Sequence, residues 1–521
     1  MSAAPGRPRI AVRCDASAEI GGGHAMRCLT LANALSDAGA SVTFVAATIP
    51  DALAERISSA GHALERIPAS PEMRREGERW EEPPLSAEAQ QADSKAAGAA
   101  IGEVDWLVVD HYLLDAHWHS AARGFADRIL AIDDLANRAC DCDILLDQTF
   151  GRSPDDYRAF VPDGAKILAG ATYALLRPEF ARERPAALER RQAGGPVRRI
   201  LVSMGTADPG GITARIVEQL IAAALQCAID VVLGPQATSL DHVRALAGDH
   251  PAISVHVDSE RMAELMRDAD LAIGAAGSTS WERCCLGLPA IVFAMAENQR
   301  LAAENLERAG AALFAHSPDE VPALLRSLDD DGLRASRIAA AAAITDGHGA
   351  QLVVDAMLGG CSQGERRPQL RPAHAGDGQL IWLWRNDHAT RMVSQKTAPI
   401  PWADHMAWWD SALASDERRI LIAEAAGVPV AMVRFDRSDE EGFEVSINLA
   451  PAARGSGLGG RILSEACKAF RSQHNEARLL AMIRRDNSAS RRIFESLGFV
   501  RSGALLNSAF DRYVLAEGRA E

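Results

Sequence analysis

One local pattern, met twice, most constrains what this chain can fold into. A short apolar strand runs into a glycine-rich turn and then a helix, first at Ile10–Arg13 and again at Ile200–Ser203. After the first strand the spacing predicts a helix from about His24 to Ala38, with Cys28, Leu31, Ala32 and Leu35 on one face. Val42–Val45 is the next strand and completes a βαβ unit. Trp106–Asp110 and Ile129–Asp133 add buried strands to this half, and Ser70 to Gly102 reads as a surface loop plus one helix. After the second start come a turn, Met204-Gly205-Thr206-Ala207-Asp208-Pro209-Gly210-Gly211, and an apolar helix. The strands Val231–Leu233, Ile253–Val255, Leu271–Ile273 and Ala290–Phe293 follow. A polar stretch, Glu189–Arg199, with the breaker Gly194-Gly195-Pro196, separates the two. Two Rossmann-like α/β lobes, 1–190 and 191–360, with a cleft between them are the expected architecture.

Past Cys361–Pro372 the texture changes. Ile420–Ala425, Val428–Phe435 and Phe443–Leu449 read as consecutive antiparallel strands. A glycine-rich loop, a helix from Arg461 to about Gln473, a strand Arg478–Ile483 and a helix Ala489–Leu497 follow. Residues 366–521 are expected to form an independent α+β domain. The 521 residues leave room for three such blocks.

Charge and composition narrow the function. Lys plus Arg is 55 against 70 Asp plus Glu, a net charge of −15, which argues against a general nucleic-acid binder. No apolar run approaches the ~20 residues that span a bilayer, so no membrane partner is expected. The basic, Pro-containing start lacks the apolar core of a secretion signal. Nine cysteines without regular spacing read as reduced thiols in a cytoplasmic enzyme.

At the carboxyl end of the first strand stands Arg13-Cys14-Asp15-Ala16-Ser17, then Ile20-Gly21-Gly22-Gly23-His24-Ala25-Met26-Arg27-Cys28. Ligands bind at such strand ends in open α/β sheets, and Gly22 and Gly23 allow close approach to the backbone. His24 falls in the first helical turn, where the positive end of the dipole disfavours imidazolium. A neutral ring facing a cleft is a candidate general base; a helix cap with an incidental histidine is the plain alternative. These strings, with Val108-Val109-Asp110-His111-Tyr112, Ile132-Asp133-Asp134-Leu135-Ala136-Asn137-Arg138, Leu145-Leu146-Asp147-Gln148 and Tyr173-Ala174-Leu175-Leu176-Arg177-Pro178-Glu179-Phe180, closely resemble the UDP-sugar hydrolases of pseudaminic-acid biosynthesis. The resemblance spans about residues 8–358. It implies a two-lobed GT-B-like fold and hydrolysis of UDP-2,4-diacetamido-2,4,6-trideoxy-β-L-altrose to UDP and free sugar. It also implies that His24 activates water for attack at the anomeric carbon. Asp15, Arg27, Asp110, His111, Tyr112, Asp134 and Asn137, at strand ends facing one cleft, are expected to grip the sugar.

A second constellation lies in the second lobe. Ala275-Ala276-Gly277-Ser278-Thr279-Ser280-Trp281-Glu282 turns a strand into a helix, which leaves backbone N–H groups free for a diphosphate. Glu282, one turn in, is placed to accept from ribose hydroxyls. Gly205 and Thr206 offer a second N–H-rich turn, and Glu297, Asn298 and Gln299 follow another strand toward sugar or phosphate. No metal is required on this reading.

The third constellation is Arg454-Gly455-Ser456-Gly457-Leu458-Gly459-Gly460, after a strand and before a helix. Read literally it meets a dinucleotide fingerprint, but the remaining residues lack the strands of a Rossmann half. With Asn487, Phe494 and Leu497-Gly498-Phe499 downstream, it resembles the cosubstrate loop of GNAT N-acetyltransferases, which implies acetyl-CoA. The position that carries a thiolate-protonating Tyr in that family is Phe494 here, so Tyr513 or a water is the candidate acid. Glu444 is the candidate base for the acceptor ammonium. The stretch Trp382–Asp387 resembles the acceptor side of the same pathway's aminosugar acetyltransferase and offers Arg385 to a UDP-linked aminosugar. The expectation is a bifunctional enzyme that N-acetylates a UDP-4-amino-sugar and then releases the product from UDP. A glycosyltransferase, or a sugar-nucleotide-binding protein with a degenerate GNAT domain, is the alternative.

Overall fold

The computed structural model describes residues 7–17, 22–74, 83–208, 210–358, 369–395, 397–398, 400–425, 428–438, 442–450, 453–454, 458–474, 477–504 and 509–515. They form two compact units, Met1–Cys361 and Ser362–Glu521. Of the residues singled out above, Ile20, Gly21, Pro209, Cys361, Gly455, Ser456 and Gly457 lie outside the described residues.

The first unit holds two parallel sheets. One consists of β1 (Arg9–Cys14), β2 (Ser41–Ala46), β3 (Ala63–Arg66), β4 (Val104–Asp110), β5 (Ala126–Ile132), β6 (Ile144–Asp147) and β7 (Lys166–Ala169). The other consists of β8 (Arg199–Ser203), β9 (Ala228–Leu233), β10 (Ile253–Val257), β11 (Leu271–Ala275), β12 (Ala290–Phe293) and β13 (Ala312–Phe314). Their orders are β3-β2-β1-β4-β5-β6-β7 and β10-β9-β8-β11-β12-β13. Both therefore begin with the 3-2-1-4-5 succession of a Rossmann fold, and both reverse direction beside their first strand. Apolar runs named most of these strands; β3, half polar and at an edge, and the short β6, β7 and β13, of three or four residues each, were not among them.

The helix Gly23–Asp37 buries Cys28, Leu31, Ala32 and Leu35 against the first sheet, the face its spacing predicts. The lobes then exchange helices. Gly349–Leu358, from the end of the second lobe, packs Ala350, Val353, Val354 and Met357 into the first lobe's core. Pro178–Gln192 does the reverse, with Phe180 and Ala187 in the second lobe's core. Its buried Arg184 donates to the carbonyls of Ala342 (2.8 Å) and Thr345 (3.1 Å). This mostly polar helix therefore packs with the second lobe although it precedes residue 190, with its buried Phe180 and Ala187 in that lobe's core.

The second unit is one mixed sheet, ordered β14-β15-β16-β17-β18-β20-β19, with β14 (Gln369–Pro372), β15 (Arg418–Ala425), β16 (Val428–Ser438), β17 (Gly442–Leu449), β18 (Leu479–Arg484), β19 (Phe499–Ala504) and β20 (Phe510–Leu515). Period-two alternation splits its faces. Leu421, Ala423, Val433, Phe435 and Val445 pack under the helices Leu458–Gln473 and Ser488–Ser496. Ile420, Ile422 and Met432 pack under Gly378–Asn386 and Trp402–Leu413. The three consecutive strands β15, β16 and β17 pair antiparallel, as expected; β17 and β18 run parallel, because the helix Leu458–Gln473 crosses over between them. They pair only at Phe443–Leu479 and Glu444–Leu480 and then diverge.

Candidate active sites

The loops leaving β1 and β4 part at the strand-order reversal of the first sheet. His24 enters from one side and Asp110 from the other. His24 Nδ1 lies 2.6 Å from Asp110 Oδ1, a distance at which the carboxylate accepts from a protonated Nδ1, and Arg27 Nη2 stands 3.1 Å from the same nitrogen. Asp110 is locked in turn. Arg27 reaches it twice, Nε to Oδ2 and Nη2 to Oδ1, both at 2.7 Å, and Cys28 Sγ donates to Oδ2 at 3.4 Å. Burial alone would push the Asp110 carboxyl up; the Arg27 guanidinium and the His24 ring outweigh it and hold it well below the usual carboxylate range. Arg27 Nη1 continues to Asp134 Oδ2 at 3.1 Å. The Tyr112 ring meets His24 edge-on at 4.7 Å between centroids. Burial, with Asp134 beside it, pushes the Tyr112 hydroxyl well up, so it stays a phenol.

Several of the expected sugar-binding residues meet neighbouring side chains. Asp110 and Arg27 orient His24 and join it to Asp134. Asp15 and His111 are likewise hydrogen-bonded within the protein. Asp15 receives both terminal nitrogens of Arg13 (2.8 and 3.2 Å), the amides of Ala47 and Thr48 (2.7 and 3.1 Å) and His111 Nε2 (3.1 Å). The other His111 nitrogen accepts from the Leu113 amide. Arg13, 0% exposed, also pairs with Asp93, which accepts from Trp118 Nε1 at 2.8 Å. Arg13 stands in the first motif without an expected role, and Asp93 lies on the helix Ala87–Ile101, within a stretch that reads as surface.

Asp134 and Asn137 do face solvent space. With Arg138, Arg152, Glu297 and Asn298 they line a cavity of about 580 Å³ between the two lobes. Asn298 Nδ2 donates across it to the Tyr112 hydroxyl at 3.3 Å. Two buried acceptors there, Asp134 Oδ1 and Asn298 Oδ1, have no hydrogen-bond partner. A ligand offering N–H or O–H donors would satisfy them. Gly22 precedes the His24 helix, and a side chain added at Gly23 would meet nothing within 4 Å.

In the second sheet the reversal lies between β8 and β11, and the two expected turns leave from those strands. Gly205 (φ 108°) and exposed Thr206 follow β8; Gly277 and exposed Ser278 follow β11. Gln299 Oε1 accepts from the Met295 amide (3.1 Å), and its Nε2 lies 3.6 Å from where a Gly277 Cβ would stand. Burial pushes the Glu282 carboxyl up to about 7, opposed by Arg177, whose nearest nitrogen is 3.8 Å away. Exposed Glu297 starts the helix Glu297–Arg308.

In the second unit Glu444 stands at the last paired position before β17 and β18 diverge. Burial pushes its carboxyl up, with Arg434 opposing and Asp436 adding. Arg434 also lies over the Trp408 ring at 5.6 Å. Arg385 donates to the Ser394 hydroxyl. Arg454 pairs with Asp387 at 2.6 Å and donates to Thr390 Oγ1 at 2.8 Å. Leu458, Gly459 and Gly460 open the helix Leu458–Gln473, and a Cβ at Gly460 would meet open space. Asn487 caps the next helix by accepting from the Ser490 amide. Tyr513 is a correction. It is buried with Phe494, Ala481 and Ile483 on the crossover-helix face of the sheet, whereas Glu444 alternates with Val445 onto the other face. The two cannot serve one reacting centre.

The chain therefore combines a glycosyltransferase-like pair of Rossmann lobes with an acetyltransferase domain. Residues 214–354 match the glycosyltransferase family 28 C-terminal domain, and residues 367–500 match the acetyltransferase (GNAT) domain. An uncharacterized protein of Methanocaldococcus jannaschii is 22% identical over 509 residues, 95% of this chain and 97% of that one. The UDP-2,4-diacetamido-2,4,6-trideoxy-beta-L-altropyranose hydrolase of Campylobacter jejuni is 24% identical over 303 residues, 58% of this chain and 97% of that one. The crystal structure of Acinetobacter baumannii MurG aligns with a TM-score of 0.47 at 17% identity, over 68% of this chain and 100% of that one. No helix among the described residues is long and apolar enough to cross a membrane.

Proposed function

We propose that the first unit hydrolyses a UDP-linked diacetamido sugar and that the second acetylates the 4-amino group of its precursor. The observation that carries the first half is the Asp110–His24 pair beside Tyr112 and the inter-lobe cavity. His24 Nε2 takes a proton from water, the water oxygen bonds to the anomeric carbon, and the bond from that carbon to the UDP oxygen breaks. The electron pair leaves with UDP. Asp110 stabilises the imidazolium that forms. The turns at Gly205 and Gly277 would hold the diphosphate with backbone N–H groups, and Glu282 the ribose. Asp134, Asn137, Glu297 and Asn298 would hold the sugar, whose acetamido N–H groups suit the two unpartnered acceptors.

For the second unit, acetyl-CoA supplies an activated acetyl thioester. The chain fits it: β17 and β18 part after Glu444, and the first turn of Leu458–Gln473 opens beside that gap with amides free of intrahelical partners. Glu444 would deprotonate the acceptor ammonium, and Arg385 would face the nucleotide end of the acceptor. Cytoplasmic location accords with both cosubstrates.

The test supplies UDP-4-amino sugar and acetyl-CoA. Free diacetamido sugar, UDP and CoA should appear, and His24→Ala should stop at the acetylated UDP-sugar. UDP release by that variant at the wild-type rate would remove His24 as the base. The family 28 match supports a second reading, transfer of the sugar to another acceptor. Incubation without acceptor separates them, because a strict transferase releases little UDP.

A further inference from the structure

Beneath the floor of the inter-lobe cavity, three oxygens from three segments meet in a dry cluster. Tyr157 Oη, buried, is 2.8 Å from Asp147 Oδ2 and 3.0 Å from Asp133 Oδ2. A phenol has one proton and can donate it to only one carboxylate at a time. Two ionised carboxylates at hydrogen-bond distance from the same hydroxyl would leave one repulsive oxygen–oxygen contact. A second proton therefore belongs to the cluster, and the partners of each carboxylate say where it sits. Asp133 is built to be an anion: Oδ1 receives Arg138 Nη2 at 2.6 Å, and Oδ2 receives the amides of Leu135 and Ala136 at 3.1 and 2.8 Å. Asp147 has fewer donors. It is 0% exposed and receives the Thr149 amide on Oδ1 at 2.7 Å, with the Thr149 side chain also hydrogen-bonded to the carboxyl. Arg152 Nε stands in ion-pair range of its Oδ2, at 3.2 Å, but makes no aligned hydrogen bond, and Arg152 Nη2 is turned to the carbonyls of Asp134 and Leu135.

We infer that Asp147 works as an un-ionised acid, donating to Tyr157, which donates to Asp133, and that this chain holds the cavity wall Asp134–Arg138 in place. Asp147 is a positioning residue: it acts through Tyr157 and Asp133, and touches no part of the cavity. The groups that face it are Asp133, Asp134, Arg152 and Tyr157. Burial, then the Asp134 carboxylate, push its own carboxyl up to about 7, against the Thr149 and Tyr157 hydrogen bonds. Burial and the two carboxylates keep Tyr157 protonated. When Asp147 ionises, its donor to Tyr157 is lost, and Arg152 is drawn from the two wall carbonyls toward the new charge. The wall that carries Asp134, Asn137 and Arg138 loosens.

The full chain carrying Asp147→Asn tests this, since the amide can donate to Tyr157 at every pH while Oδ1 keeps the Thr149 amide. Wild type at about pH 6 should show the infrared carbonyl band of a buried carboxylic acid, absent in the variant and fading as pH passes about 7. Kinetically, the wild-type KM for UDP-sugar should climb toward about ten-fold per pH unit above that midpoint, with kcat changing less, while the variant stays flat. A missing acid band, or a variant whose KM profile parallels wild type, overturns the inference. Should Asp147→Asn fail to fold, Tyr157→Phe replaces it: the acid band must then shift, and an unmoved band counts against the chain of donors. The kinetic arm rests on the hydrolase reading; the infrared arm does not. An acid band in a protein that releases no UDP would retire that reading and leave this one intact.

Discussion

Asp110 holds both the His24 ring and the buried Arg27, so its substitution should be felt in chemistry and in stability alike. In Asp110→Asn the side chain keeps its size but no longer stabilises a protonated His24. A drop of about 10²–10⁴ in kcat for UDP release is expected, with KM within a few-fold. The buried Arg27 would be left with Asp134 alone, so urea denaturation should show a loss of about 3–5 kcal/mol. Unchanged kcat would show that the ring needs no orienting carboxylate. The pH dependence carries a sign. The carboxyls of Asp15 and Asp110 are held below their unfolded values, so their stabilisation is present above about pH 3.9 and lost as the medium grows more acid. The stability gap between wild type and Asp110→Asn should therefore narrow in acid. Asp147 runs the other way: its folded value is raised, so its contribution is complete below about pH 3.9 and is lost as pH rises to about 7. At this scale the His24 motif is visible in the sequence, as glycines before a histidine at a strand end; its role as the base belongs to the proposal. The role of Asp110 is not visible there. Its partner is 86 residues away, and only the fold decides whether a strand-end carboxylate meets a ligand or a neighbouring side chain. Tyr157 left no signal at all, since a tyrosine among polar loop residues reads as exposed.

The proposed nucleotide site rests on the passage from β11 into the helix Thr279–Cys285, and Gly274 there contrasts with Gly460 of the second unit. A Cβ on Gly274 would lie 2.7 Å from the Ser203 carbonyl of β8 and 2.5 Å from an Arg283 nitrogen. Both are fixed, one as backbone and the other as a buried guanidinium donating to the Ala275 carbonyl at 2.6 Å. Gly274→Ala should cost about 1–3 kcal/mol in thermal or urea unfolding. Gly460 is the opposite case. Alanine fits there and favours the helix by about 1 kcal/mol, yet its methyl would stand where the cosubstrate approaches. Gly460→Ala should leave the melting temperature level or raised while KM for acetyl-CoA increases; an unchanged KM would move the cosubstrate away from this helix start. Glu282 gives a titration. Ribose hydroxyls donate best to an ionised carboxylate, so UDP affinity by calorimetry should be full above about pH 7 and fall below it, with Glu282→Gln flat across that range. Elements were read well wherever burial imposed a run of apolar residues. The packing of the helix Pro178–Gln192 is not legible in the same way, because it is mostly polar and is held to the second lobe by Phe180, Ala187 and the buried Arg184.

At the scale of the whole molecule, the chain is two compact units with separate cores, and the proposed activities fall one to each. The two reactions share a substance rather than a side chain: the amide made in the second unit is the group expected to meet the unpartnered acceptors of the first. The order of reaction is therefore opposite to the order along the chain. That arrangement predicts an asymmetry between two single substitutions in the intact protein. His24→Ala should leave CoA production from acetyl-CoA and UDP-4-amino sugar at the wild-type rate, with acetylated UDP-sugar accumulating and UDP release reduced by at least about 10²-fold. Glu444→Gln should slow CoA production by a comparable factor. When given UDP-sugar already acetylated at nitrogen 4, it should release UDP as fast as wild type. Mass spectrometry of the sugar products follows both arms in one reaction. If Glu444→Gln also loses hydrolysis of the pre-acetylated substrate, the units do not work independently and a dependence between them must be sought. If the unacetylated amine is hydrolysed as readily as the amide, the two free acceptors do not read the acetamido group, and acetylation is not what commits the sugar to release.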